Sequence, residues 1–504
     1  MRETHGKPSG AFAVCAAVLL MLLSSASQAA EPLAGDKVGQ AQAASPDGTI
    51  VVSVKAGGAL TYAVAVDGRP LLADSRLGLV FDGGLEIGRN SVVTGVEKRA
   101  VDRTWHNAFG KCSKVRDHFN ETRIRLKEER GAGAAAVVFG LIVRAYDDGV
   151  AIRYDLPKQD ALAVFTVTHD KTSFTFPKDA RALGGKYSAS AEVRYPETTL
   201  ASLPTSRMCL PVVAQCEAAT VALAEANVRD WSSTFLKRSS SVTLEAELAS
   251  KVVSQAPRVS PWHLVMIGRT PGQLIESNLM VNLADPSQIA DTSWIRPGIM
   301  AWDDWWTGVN PFWKEHRGLY CRGNTASHMM YVDFASEMGW PYQLVDWFWY
   351  DHNGKDPDTA IQPRPYIDLP AMFRHAKEKG VGMILWVHSK SIPPIGAEKL
   401  FSTYASWGAA GVKIDFFKDN GSQKTMKWQE ELLACAAKHR LLVNFHGTAV
   451  PTGLSRTWPN LITQEGVAGN EYNKCGRDRE CDTKHHVTMP FARCLLVITY
   501  FTPG

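Results

Sequence analysis

The chain has no basic arm, no stripe of one charge sign and, beyond its first 30 residues, no long apolar run. Its 55 Lys and Arg are nearly balanced by 51 Asp and Glu, a net charge of +4 over 504 residues, with both signs mixed along the chain. A phosphate backbone is bound by clustered cations, so nucleic acid is excluded as a partner. A bilayer span needs about 20 consecutive apolar residues, so stable membrane insertion is excluded as well. The nine cysteines include no CxxC and no Cys/His pattern of a zinc module.

What is present begins with an export signal over residues 1–29: Arg2 and Lys7, an apolar core from Ala11 to Leu23, and the small residues Ser27 and Ala29 at a cleavage pattern. The mature chain then starts near Ala30, in a periplasmic or secreted setting. An exported chain can keep disulfides, and the close pairs Cys209/Cys216 and Cys475/Cys481 are the expected bridges, with free buried thiols as the alternative.

Hydrophobic residues make up 45% of the chain and charged ones 21%, an ordinary globular balance. From Ser45 to Pro257 short alternating apolar runs are broken by Gly57-Gly58, Asp67-Gly68 and the turn in "YDDGVAIRYDL", which predicts an antiparallel β-sandwich over residues 30–290. After Pro297 the rhythm becomes strand, helix, strand. "GIMAWDDWW", "QLVDWFW", "MILWVHS", "GVKIDFF", "LLVNFHG", "NLITQE" and "CLLVITY" read as parallel strands. One intervening helix runs from Asn324 to Gly339, and another is capped by Asp368 and stopped by Gly380. Seven such units over residues 291–504 predict a (β/α)8 barrel of the TIM type that lacks its last unit, and hence a truncated chain.

Barrel chemistry gathers at the C-terminal ends of strands. The polar residues there are Asp303, Asp304, Asp346, His388, Asp415, His446 and Glu465, with Glu471 just beyond, and Trp302, Trp305, Trp306, Trp347, Trp349, Trp386 and Trp458 crowd the same places. Acids beside aromatic faces suit a sugar. Glycoside hydrolysis needs two carboxyl groups, for which Asp415 and Glu471 are suited. Spacing alone leaves Asp415 equally readable as the ion-pair partner of Lys413, and Glu471 as an ordinary loop acid.

"SPWHLVMIGRTPGQLIESNLMVNLADPSQIADTSWIRPGIMAWDDWW", "GVKIDFF", "NFHGTAVPTGLSRTWPNLITQEGVAGNEYN" and "MPFAR" resemble glycoside hydrolase family 97, as do "SPDGTIVVSV" and "DDGVAIRY" in the first half. The resemblance implies an exported bacterial α-glycosidase with a β-sandwich, a catalytic barrel, a small C-terminal β domain and a calcium ion in the site. Inverting α-glucosidases of the family carry a Glu where Gly447 stands here, whereas retaining α-galactosidases carry an Asp at the place of Asp415. The implied enzyme is therefore retaining, with Asp415 as nucleophile and Glu471 as acid/base. Glu192, Glu465 and Glu471 are the implied calcium ligands, and Lys413, His446, Asp346, Trp305 and Trp349 the expected substrate contacts. The substrate class is an oligosaccharide or α-galactoside. An α-glucosidase is the near alternative, since the nucleophile fixes the stereochemistry and not the epimer at C4; a non-catalytic or inactive homologue is another, since "VITYFTPG" stands where family members carry a segment resembling "GPMDYTPG".

Overall fold

A computed structural model describes residues 39–131, 135–302, 323–354, 356–469, 471–474 and 481–496. From Gln40 to Gly268 the chain is a succession of antiparallel strands in three sheets, the largest built around the long hairpin Ser91–His106 and Lys114–Glu128. Period-2 alternation places every second residue inward, as in Thr61–Val66, where Tyr62, Val64 and Val66 are buried. Asp67 and Gly68, at φ 50° and 73°, form the two-residue turn into the next strand, a turn class that needs positive φ at both positions.

Six parallel strands follow: Met300–Trp302, Tyr342–Val345, Gly382–His388, Gly411–Asp415, Leu442–Phe445 and Leu461–Gln464, neighbours in chain order. Helices Thr325–Glu337, Leu369–Glu378, Ala397–Trp407 and Gln423–Lys438 cover them. The predicted caps hold, because the Asn324 and Asp368 side chains accept from the N–H groups of Ser327 and Ala371, and Gly339 and Gly380 take positive φ beyond the helix ends. The fold is thus a β-rich N-terminal domain followed by an α/β half-barrel. No helix among the described residues is long and apolar enough to cross a membrane.

Two expectations need correction. "CLLVITY" does not start as a strand: Arg493–Leu495 is a 3-10 turn, and residues 497–500 lie outside the described region. The cause is the fully buried Arg493, whose guanidinium donates to the carbonyls of Gly466 at 2.7 Å and Gln464 at 3.2 Å, and also to that of Glu465, so the chain coils across the end of the sixth strand. Cys209 and Cys216 carry free thiols. Cys209 lies at the start of the strand Met208–Gln215 and Cys216 directly after its end, so the rise of about 3.3 Å per residue keeps them far beyond bridging range. Cys475, of the other expected pair, is outside the described residues.

The "PTGLSRT" block joins the two halves. Arg456 donates to the carbonyls of Val281, Asn282 and Ala284 at 2.8–3.0 Å, and Thr457 Oγ1 donates to that of Asp285. A Cβ at Gly453 would stand 2.5 Å from Met280 O, so only glycine permits this close approach. The connection between sandwich and barrel is thereby clamped onto the barrel.

Candidate active site

Register decides which side chains meet at the strand ends. Trp386 lies beside Lys413 and His388 beside Asp415 on adjacent parallel strands, and Lys413 lies beside Asn444 on the next. Asp346, His446 and Glu465 each follow directly on their strands.

Asp415 is 4% exposed and both of its oxygens are engaged. Oδ1 accepts from the Phe416 N–H at 2.6 Å and lies 3.2 Å from His446 Nδ1, while Oδ2 accepts from Trp386 Nε1 at 3.0 Å. Burial opposes the charge, but His446, Lys413 and these donors outweigh it and hold the carboxyl well below the usual range. The other ring nitrogen of His446, Nε2, is 2.8 Å from Glu465 Oε1 and 3.8 Å from Glu471 Oε2. Burial disfavours an imidazolium here, yet Asp415 and Glu465 raise its pKa well above the ordinary value. Asp415, Glu465 and Glu471 thus surround the ring, and the nearest two favour its protonated form.

Glu471 opens a short helical turn and keeps 28% of its side chain exposed. Burial, then Glu465 and Asp415, push it up to about 7 against the pull of His446 and Lys413. Glu192 arrives from the N-terminal domain, on the loop after the strand Arg181–Lys186, and burial together with Glu465 pushes it up to about 8. Ala191, at φ 55°, turns the backbone just before it, and Tyr195 anchors the loop by packing with Val467, Met489 and Ala492. The N-terminal domain thus delivers an acid to the barrel.

Glu192, Glu465 and Glu471 are three acids near one another, and burial, followed by the charge of the neighbouring acids, pushes Glu192 and Glu471 above their ordinary values. Ligand atoms of His446, Glu465 and Glu471 all lie within 4.8 Å of one another. Such a carboxylate set fits a hard cation that takes oxygen donors.

Lys413 is 1% exposed, and its Nζ salt-bridges Asp346 Oδ2 at 3.0 Å, 4.7 Å from the Trp302 ring centre. Trp302 Nε1 also donates to Asp346, whose Oδ1 accepts from the Trp347 N–H at 2.7 Å. The close ionic contact of Asp415 is thus His446, and Lys413 acts on it through space.

Trp349 is not a substrate contact. It is 1% exposed, donates Nε1 to Trp386 O at 2.7 Å, and packs edge-on against Tyr404 and Trp407 of the covering helix. Trp458 also faces the helices, with Nε1 donating to Glu430. Asp303, Asp304, Trp305 and Trp306 lie outside the described residues.

The structure adds residues that strand-end reading missed. Phe416 is 48% exposed at φ 58°, with its ring 5.3 Å from that of His388. Its position directly after Asp415 was the available signal. Nothing local marks Tyr195, whose partners lie far along the chain. Gly447 has φ 52°, and a Cβ there would stand 2.8 Å from Asp415 Oδ1.

Comparison with known proteins agrees with this architecture. Residues 43–286 match the family model for the glycosyl-hydrolase 97 N-terminal domain, and residues 305–467 match that for glycoside hydrolase 97. The chain is 34% identical over 456 residues to a probable retaining alpha-galactosidase of Streptomyces bingchenggensis, covering 89% of this chain and 67% of that protein. It is 28% identical over 489 residues to a retaining alpha-galactosidase of Bacteroides thetaiotaomicron, covering 89% and 70%. A family 97 enzyme from Pseudoalteromonas sp. strain K8, solved with acarbose, shares the fold with a TM-score of 0.83 at 23% identity, over 92% of this chain and 74% of that one. With a model matched in each half and a relative above 30% identity, the chain belongs to glycoside hydrolase family 97 and is a glycosidase.

Proposed function

We propose that the protein is a retaining α-galactosidase working by double displacement, with Asp415 as nucleophile and Glu471 as acid/base. The observation that carries this reading is the divergence of two carboxyl groups around one histidine: Asp415 is held ionised while Glu471 is pushed up to about 7. Environments that drive two acids apart in this way assign a nucleophile and a proton donor. Gly447 supports it further, because its missing side chain leaves room for the Asp415 carboxylate.

In the first step Asp415 attacks the anomeric carbon, and the leaving oxygen takes the proton of Glu471 as the glycosidic bond breaks. In the second, Glu471 removes a proton from water, whose oxygen attacks the same carbon and frees Asp415. Two inversions retain the α configuration. Three donors fix the orientation of Asp415, so little reorganisation accompanies attack. We take His446 and Asp346 to be the groups that contact sugar hydroxyls. Glu192, Glu465 and Glu471 would hold calcium, which would supply positive charge to the site when bound.

The galactoside assignment rests on two relatives, one described as a retaining alpha-galactosidase and the other as a probable retaining alpha-galactosidase. Proton NMR during cleavage of aryl α-galactoside and aryl α-glucoside tests both parts. The α anomer should form first, the galactoside should be preferred, and a fluorinated galactosyl fluoride should label the peptide bearing Asp415. A β anomer as first product would sink the double displacement, and faster glucoside cleavage would overturn the specificity.

A further inference from the structure

We propose a zinc site on the outer helices of the half-barrel, formed by Glu398, Cys435 and His439. Cys435 lies in the last turn of the helix Gln423–Lys438 and His439 is the residue that ends it, so their spacing of four places both on one face. Glu398, in the first turn of the helix Ala397–Trp407, faces them from across the groove. Its carboxylate straddles the pair: Oε2 is 3.6 Å from Cys435 Sγ, and Oε1 is 3.0 Å from His439 Nε2.

These separations match the metal's own geometry. With zinc–sulfur bonds of about 2.3 Å and bonds of about 2.0 Å to nitrogen and oxygen, neighbouring donors of a tetrahedron stand about 3.3–3.5 Å apart. Ligand atoms of all three residues lie within 4.8 Å of one another. A thiolate with an imidazole and a carboxylate suits zinc and disfavours calcium or magnesium, which take oxygen. One thiolate and one carboxylate also neutralise a divalent ion. Glu398 remains 58% exposed, leaving the fourth position to water.

Metal ligation takes the thiolate form of Cys435, and a bound divalent cation supplies the charge that stabilises it. Lys438, 2.8 Å from Glu398 Oε1, orients the carboxylate. Sequence spacing alone hid the set, because Glu398 lies 37 positions before Cys435. Bound zinc would tie the two helices and stabilise the fold by mass action.

Cobalt provides the test, on the full chain saturated with calcium. One cobalt per chain should give a thiolate-to-cobalt charge-transfer band that zinc abolishes. Cys435→Ser should remove the band, His439→Ala should weaken cobalt binding at least about 10-fold, and Cys112→Ser should change nothing. The acids around His446 have no thiol among them, so they cannot produce the band. If either variant misfolds, zinc protection of wild-type Cys435 from alkylation, read by peptide mass spectrometry, decides instead. A wild-type chain with no band and no protection, or a band that survives Cys435→Ser, overturns the site.

Discussion

Among the described residues, two buried histidines stand between acids, one in the sandwich and one in the half-barrel. His263 lies 2.8 Å from Asp170, and Glu225 faces it across paired strands. Burial disfavours its charge, but Asp170 and Glu225 raise its pKa above the ordinary value, as happens at His446. The acids of the sandwich are closed off by backbone: Asp170 accepts from the Thr172 N–H and Glu225 from that of Thr234. In the half-barrel, Glu471 and Glu192 join a histidine already flanked by Asp415 and Glu465, and Glu471 stays partly open to solvent. A buried His–acid pair is thus a structural device in itself. It becomes a site when more acids gather than one imidazolium can neutralise and one of them is reachable.

The largest expected contrast comes from the paired substitutions Asp415→Asn and Asp170→Asn. The first should lower kcat by about 10⁴-fold or more, as nucleophile removal does elsewhere, and leave the melting temperature within a few degrees. The second strands a buried imidazolium and should cost about 3–5 kcal/mol of stability, with activity per folded molecule unchanged. Steady-state kinetics and denaturant melts check both. A catalytic loss in Asp170→Asn would show that the two histidines do not differ as argued.

Gly447→Ala sharpens the comparison from within the half-barrel. The new Cβ would stand 2.8 Å from Asp415 Oδ1 at a backbone φ of 52°. A displacement of the nucleophile approaching 1 Å costs about 10²-fold, so kcat should fall by that order while KM moves little. Unchanged kcat would mean that the Asp415 carboxylate can be placed elsewhere without loss.

Next in size is the pH response of stability. In the fold Glu192 and Glu471 are pushed up to about 8 and about 7, whereas an unfolded chain releases those protons near 4.5. The folded form therefore binds more protons over this window, and stability falls as pH rises from about 5 to 8. His263 and His446, raised in the fold, add a loss of the same sign above their ordinary pKa of 6.5. Asp170 and Asp415, held low, act the other way and only in acid. Calorimetry with chelator should show the melting temperature declining across that range, and added calcium should flatten the upper part by binding the deprotonated acids. If calcium leaves the curve unmoved, the three glutamates are not its ligands.

Much of this was legible in the sequence because local physics and tertiary structure agreed. The caps Asn324 and Asp368, the Asp67-Gly68 turn and the strand ending in Asp415 are each specified within a few residues. Glu192 entered only by family resemblance, since its proximity to Glu465 depends on packing between distant segments. Trp349 misled because two tryptophans flank Phe348 after the second strand, and only packing shows that Trp347 faces His352 and Trp386 while Trp349 turns to the helices. The Cys209/Cys216 bridge failed for a reason the sequence already held, because a strand separates the two sulfurs.

Phe416 supplies the smallest effect, at the solvent-exposed edge of the half-barrel site. A large aromatic that is 48% exposed and held at φ 58° is unfavourable on both counts, so something must offset the strain. Its ring, beside those of His388 and Trp386, presents an apolar face next to Asp415. Stacking of a sugar on that face should contribute about 1 kcal/mol, so Phe416→Ala should raise KM about 5-fold with kcat nearly unchanged. Phe416→Gly removes the ring and relieves the backbone as well, and should match the alanine variant in KM while exceeding it in melting temperature. Equal KM in wild type and both variants would leave the ring without a role in binding. A fall in kcat in the glycine variant alone would instead show that the strained backbone, whose N–H bonds Asp415 Oδ1, is what positions the nucleophile.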